Sequence, residues 1–338
     1  MDHMRNPHVE WDMAWTLASL GQLAILLEAS SPKPGNVNRL RRFSDTGYRH
    51  FLASAALAGR GFHLAASRGI QAAEASLSPE RVGMGEVVRL CIQDVFGGIN
   101  RSNAILGSVL LHVPILMASA ASIRESGVFD PYGVGQWMRC LVDATTVHDT
   151  IEVYRAFRLA GPIGSSRKDT DSWTEQHSRY DIDNPNVDRA IEEDNMTLKR
   201  LFDLSAQVDE ISKEWSQYFE TTLFRTLPVL EAHSSGLDDL EEGVVRAFIW
   251  LLSERPDGLI VKKAGRMAAE RVRRLAMGIV REMKNHQDVT QLLEQLDNVL
   301  RVDGNRLNPG TTADLISAAL LCRLTALYYH PSPECPRR

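Results

Sequence analysis

Five polar stretches hold most of the residues that could do chemistry: SPKPGNVNRLRR at 31–42, FGGINRSNAILG at 96–107, ATTVHDTIEVYRA at 144–156, DGLIVKKAG at 257–265 and GNRLNPGTTADL at 304–315. Each mixes amides, acids or isolated bases with small residues and abuts an apolar run. In the first, Lys33, Arg39, Arg41 and Arg42 fall close together in a chain of formal net charge −5. Such a cluster is either a solvated face or a polyphosphate clamp built on charge-assisted hydrogen bonds. Pro34-Gly35 suits the centre of a type II turn, and Pro32 disfavours helix at Ser31. In the second stretch Gly97-Gly98 precedes a helix entry with Asn100, Ser102 and Asn103, where free N–H groups could hold an anion or be capped by those same side chains. Thr146-x-x-Asp149 and Thr311-x-x-Asp314 both have the spacing of a capping box. Asp257 can cap the helix after it, and Lys262 and Lys263 can be solvated charges. Capping leaves Glu152, Arg155, Asn305, Arg306 and Asn308 unexplained. His148 has no second His at ligand spacing, and no GxSxG, HExxH or nucleophilic Cys motif is present.

The elements that must position these residues are helices. Apolar residues recur at intervals of three and four, as at Trp15, Leu17, Leu20, Leu23, Ala24 and Leu27, and nothing alternates as a strand would. The spacing predicts helices over 10–29, 46–68, 82–95, 102–123, 133–142, 147–160, 196–231, 238–253, 258–283, 287–300 and 312–329. The expected fold is all-α: a single domain over 1–330 of ten or eleven helices, with a long polar loop over 161–195 and a tail at 331–338. Bundle ends can gather into one pocket. A net acidic chain gives no global reason to expect nucleic acid. The four cysteines are far apart without a CxxC pair, as in a reducing compartment. The longest apolar run is broken by Ser108, His112 and Pro114, so neither a signal peptide nor a membrane span is expected, and the expected location is cytoplasmic.

Taken in order, PKPGNV at 32–37, DTGYRHFLASA at 45–55, NAILG at 103–107, TTVHDTIEVYRAFRLA at 145–160, the Asp257 to Gly265 stretch and NRLNPGTTADLISAAL at 305–320 resemble the triphosphoribosyl-dephospho-CoA synthase family. Citrate-lyase members of the family carry HxDM and NTHKG motifs where this chain reads Ser44-Asp45-Thr46-Gly47 and Asn103 to Gly107. In that respect it resembles the branch found in archaea and in bacteria with methanopterin-linked C1 metabolism. The resemblance implies an all-helical transferase in which a ribose hydroxyl of dephospho-CoA displaces adenine from C1 of the ribose of ATP. Oxocarbenium character at C1 calls for a carboxylate, and Asp45, Asp149 and Asp314 are the implied catalytic acids, with His50 as a further proton carrier. Phosphate and nucleotide binding falls to Lys33, Gly35, Asn36, Arg39, Asn103, Gly107, Lys263, Asn308, Thr311 and Thr312. A Mg²⁺ ion on the triphosphate would use Asp149 and Asp314. Small-molecule substrates, no nucleic acid, no membrane and a homodimer are the expected partnerships. The alternatives are a related ribosyl transferase acting on another acceptor in methanopterin-linked cofactor synthesis, and a non-catalytic nucleotide-binding helical protein.

Overall fold

The computed structural model describes residues 7–98, 100, 104–161 and 174–330. Among them are sixteen α-helices and no strand. The first six are α1 (Pro7–Ser30), α2 (Tyr48–Ala73), α3 (Met84–Phe96), α4 (Leu106–Ser126), α5 (Pro131–Asp143) and α6 (Val147–Ala160). Short helices follow: α7 (Glu175–Arg179), α8 (Val187–Glu193), α9 (Leu198–Ser205), α10 (Glu210–Ser216) and, after a π-helical turn at Thr222–Thr226, α11 (Leu227–His233). The last five are α12 (Leu240–Glu254), α13 (Gly258–Ala264), α14 (Arg266–Lys284), α15 (Thr290–Arg301) and α16 (Gly310–Tyr328).

The core forms around α4, which is apolar on every side and therefore has to be surrounded. It packs against α1, α2, α3, α5 and α16, and its residues from Ser108 to Ile123 are buried. Stretches of α1, α4 and α16 are each long and apolar enough by composition to cross a bilayer; in this structure α4 meets its apolar demand with other helices. Close packing also requires small residues. A Cβ on Gly69 of α2 would overlap the Met117 carbonyl of α4, so glycine is what lets the two backbones touch.

All-helical architecture agrees with the periodicity, but the helix count does not. The span 196–231 is broken into α9, α10, the π turn and α11. Asp209 caps α10 by accepting from Ser212 N at 2.8 Å, and Tyr218 and Phe219 take positive φ of 52° and 63°, which an α-helix cannot continue through. The span 258–283 is cut at Gly265, whose φ is +86°. The expected loop over 161–195 contains α7 and α8, and its residues 162–173 lie outside the described ones. Apolar spacing survives these breaks because successive short helices turn the same kind of face to the same core.

Candidate functional site

Three helix N-termini meet around two carboxylates. Asp257 is the N-cap of α13, its Oδ1 accepting from Leu259 N at 2.9 Å and Ile260 N at 3.0 Å. Its Oδ2 accepts from Thr312 N at 2.7 Å and Thr312 Oγ1 at 2.8 Å, so one carboxylate caps α13 and α16 together. That arrangement replaces the expected Thr311–Asp314 capping box. α16 begins at Gly310 with no side-chain cap of its own, which places Asp314 more than a turn inside the helix, too far along to reach back. Asp314 turns instead to the start of α4, where Ser108 Oγ donates to its Oδ1 at 2.6 Å. Gly107 makes this contact possible, because a Cβ there would overlap Asp314 Oδ2.

The electrostatics set Asp314 apart. Removal from water drives its carboxyl up to about 8, the charges of Glu28 and Asp257 push the same way, and the Ser108 hydrogen bonds offset only part of this. Asp314 therefore holds its proton at neutral pH. Burial also raises the Asp257 carboxyl, against the pull of its four hydrogen bonds.

The PKPGN turn forms the neighbouring wall. Gly35 adopts φ +73°, and a Cβ there would overlap Leu300 of α15. Its N–H donates to Asp297 Oδ1 at 2.7 Å, and Arg301 donates from Nε to the same oxygen at 2.8 Å, so α15 pins the turn. Lys33 points inward. It is fully buried, with Nζ 3.0 Å from Glu28 Oε1 and further bonds to the Glu28 and Ser31 carbonyls. Burial drives the Glu28 carboxyl up and the Lys33 ammonium down. A solvated Lys33, and a Lys33 free to clamp phosphate, are both corrected by this pairing: apolar α1 buries Glu28, and Glu28 draws the lysine in.

From the turn a ladder of amides leads outward. Asn36 Nδ2 donates to Asn308 Oδ1 at 2.9 Å, Asn308 Nδ2 to Asn305 Oδ1 at 3.0 Å, and Asn305 Nδ2 to Asp45 Oδ2 at 3.1 Å. Lys263, half-buried at the end of α13, donates to Asn305 O at 3.2 Å. Burial lowers its ammonium, while Asp45 and Asp257 pull it back up. The structure thus joins Asn36, Asp45, Lys263, Asn308, Thr312 and Asp314 into one polar region, with Gly35 and Gly107 shaping it. Thr311 borders it at Gly258, whose Cβ would come within 3.3 Å of the Thr311 Oγ1.

Other expected residues lie elsewhere or are already engaged. Arg39 is an exposed partner of Glu241. His50 Nδ1 accepts from Gly47 N at 2.9 Å at the start of α2. Asp149 is buried in the α3–α6 corner, where it completes the expected capping box with Thr146 and accepts from Gly85 N at 2.9 Å. Glu152, one turn on, is enclosed by Arg89 and Arg155. Asn103 lies outside the described residues, and α4 starts at Leu106 rather than at 102. The expected Mg²⁺ pair is not assembled: Asp149 has both oxygens on Gly85 and Thr146 in the α3–α6 corner, while Asp314 bonds Ser108 at the start of α4. Among the described residues no group of three or more His, Cys, Asp or Glu is placed to hold a metal.

Sequence reasoning missed Glu28 and Ser108 as members of this region and treated Asp257 as a simple cap. Glu28 did carry a signal, as a lone carboxylate in the apolar end of α1 five residues before Lys33. Ser108 and the second cap of Asp257 depend on packing between helices remote in sequence.

No curated protein matches the sequence. The crystal structure of an Archaeoglobus fulgidus protein that bears the name triphosphoribosyl-dephospho-CoA synthase shares the fold, with a TM-score of 0.56 at 21% identity, covering 81% of this chain and 98% of that one. The family model of the ATP:dephospho-CoA triphosphoribosyl transferases matches residues 14–331, nearly the whole chain. The chain belongs to that family.

Proposed function

We propose that the polar region between α1, α4, α13 and α16 carries the family's reaction, with Asp314 as its general acid. The activity of the family is transfer of the triphosphoribosyl group of ATP to dephospho-CoA. In that transfer the bond from C1 of the ribose to adenine breaks, and one from C1 to an acceptor oxygen forms. Adenine is a poor leaving group as an anion, so a proton must reach it as the bond lengthens. The observation that carries the assignment is the Asp314 carboxyl, lifted to about 8 and held against the α4 N-terminus by Ser108. A carboxylic acid that keeps its proton at neutral pH is the donor this step requires.

The acceptor hydroxyl must lose a proton as it attacks. Asp45, an exposed carboxylate oriented by Asn305, is the base in this reading. Its charge would also favour positive character at C1. Lys263 supplies the fixed cation for the triphosphate, supported by Asn308 and Thr311 at the start of α16. Lys33 and Glu28 act one layer behind, keeping the turn and the field on Asp314 in place.

The test is incubation of the purified protein with ATP, Mg²⁺ and dephospho-CoA, with free adenine measured by chromatography. Adenine release that depends on dephospho-CoA, and that is lost in Asp314→Asn, supports the assignment. ATP raising the melting temperature with no adenine under any condition would leave a nucleotide-binding protein instead.

A further inference from the structure

The basic cluster of the first segment is only partly explained by ion pairs. Lys33 pairs with Glu28 at 3.0 Å, Arg39 with Glu241 and Arg41 with Asp297 at 3.4 Å. Arg42, its fourth member, has no ion-pair partner among the described residues, and neither has Arg49 in the first turn of α2. These two arginines line a cavity of about 240 Å³ together with Ser44, Thr46, His50 and the buried Phe43, and its lining holds no carboxylate. His50 Nδ1 accepts from Gly47 N, so the neutral ring carries its proton on Nε2 and offers a donor there. The loop that presents these groups is fixed: Phe43 N donates to Thr46 O at 2.9 Å, and the Arg301 guanidinium of α15 lies 5.0 Å from the centre of the Phe43 ring. Two guanidinium groups without a counter-charge, beside an imidazole donor and two hydroxyls, suit a phosphate anion.

The same loop carries Asp45, the base of the proposed reaction. Its carboxylate is held by Asn305, while the residues on either side of it, Ser44 and Thr46, line the cavity. Consecutive Cα atoms are about 3.8 Å apart, so a single peptide step separates the cavity wall from the base. Arg42, Ser44, Asp45 and Arg49 are all exposed, and the path from cavity to base runs along the surface of one loop. Lys263, the cation assigned to the triphosphate, is no part of the lining and meets Asn305 through its carbonyl at 3.2 Å. The polar region therefore offers positive charge at two separate places. A volume below the range for whole-ligand pockets, roughly 300–1,000 Å³, suits the phosphates of a larger molecule alone.

In dephospho-CoA one ribose bears both the hydroxyls and, through C5, the diphosphate, so a site that grips the diphosphate also places the hydroxyls. We propose that the 42–50 cavity is the acceptor's phosphate subsite: Arg42 and Arg49, with His50 and the hydroxyls of Ser44 and Thr46, hold the diphosphate of dephospho-CoA and set a hydroxyl of the attached ribose against Asp45. The inference rests on the transferase reading above, in which Asp45 is the base.

Two variants test it. Arg42→Gln/Arg49→Gln removes both charges and keeps most of each side chain, and Arg49→Glu places an anion in the cavity; at exposed positions both are expected to melt close to the parent protein. The first readout is calorimetric binding of dephospho-CoA without ATP, and the second is initial-rate kinetics of adenine release with each substrate varied. The expected result is a Kd and a KM for dephospho-CoA raised about tenfold or more in both variants, with the KM for ATP held. Unchanged dephospho-CoA binding in folded variants overturns the subsite. A rise in the KM for ATP that equals or exceeds the rise for dephospho-CoA overturns the assignment to the acceptor and gives the cavity to the donor's triphosphate. A parent protein that binds dephospho-CoA yet releases no adenine overturns the transferase reading alone, and the binding comparison still decides the subsite. A parent that neither binds dephospho-CoA nor releases adenine overturns both.

Discussion

The α3–α6 corner and the α4–α13–α16 junction were written in nearly the same letters, TTVHD at 145–149 and TTAD at 311–314, yet they use their aspartates in opposite ways. Asp149 lies at N3 of α6 and reaches back to its own N-cap, with its remaining oxygen on Gly85 N. All its acceptor capacity is directed at backbone and a neighbouring hydroxyl. Asp314 lies deeper in its helix, cannot reach back, and is left with Ser108 while two other carboxylates stand near it. A position two residues further into the helix turns a capping residue into a protonated acid. Geometry relative to the helix start, and not the motif, decides how each aspartate is engaged here.

Breaking that contrast directly gives the largest effect. Asp314→Asn keeps an acceptor for Ser108 but has no proton to give, so kcat for adenine release is expected to fall by about 10²–10⁴-fold with the melting temperature little changed. Asp149→Asn is expected to do the reverse, leaving the kcat of the folded fraction intact. The pH dependence sharpens the same point. The folded Asp314 carboxyl sits at about 8 against an ordinary 3.8, so its contribution to stability is fully present below the ordinary value and is lost as the pH rises through 8. The kcat profile should fall over the upper part of that window as the acid deprotonates, and Asp314→Asn should remove that fall together with the matching fall in stability. A profile unaltered by the substitution would remove Asp314 from the acid role.

Lys33→Met probes the floor of the same junction. It leaves Glu28 buried without its cation, an expense of about 3–5 kcal/mol for a broken buried pair. Denaturant unfolding should show that loss, and Glu28→Gln placed on top should recover much of it, because the buried charge is gone. A solvated lysine would have shown neither effect.

The helical class was legible because apolar spacing needs only one chain segment at a time. Two of the local caps were legible too: Asp257 caps α13 and Thr146 with Asp149 closes the box on α6, whereas the Thr311–Asp314 box expected from the same spacing does not form. What spacing could not carry was anything joining two helix ends. The breaks at Tyr218–Phe219 and Gly265 are backbone turns with positive φ that apolar spacing does not register. The second cap of Asp257, the Ser108–Asp314 bond and the inward turn of Lys33 each need a partner on another helix. Of the site, the segments were readable from their polar residues; their membership in one region or another was not.

Asp149→Ala is the middle-sized test of the structural corner. Losing the carboxylate half of the α6 capping box, and so leaving Thr146 N and Gly85 N without their acceptor, should cost about 1–3 kcal/mol in chemical denaturation. Its effect on adenine release should track the folded fraction alone.

The smallest effect is expected at Arg39, which carries the basic character of the first segment but stands at the surface, about as exposed as its partner Glu241. An exposed ion pair contributes about 0–1 kcal/mol because solvent screens it and both side chains lose freedom in forming it. Arg39→Ala should therefore move the unfolding midpoint barely at all, in contrast to Lys33→Met six residues earlier in the same motif. The informative measurement is the KM for ATP. A rise there would mean that Arg39 leaves Glu241 for a phosphate when nucleotide binds. An unchanged KM would confine phosphate binding to the junction side of the turn, where Lys263 and the α16 start already stand together.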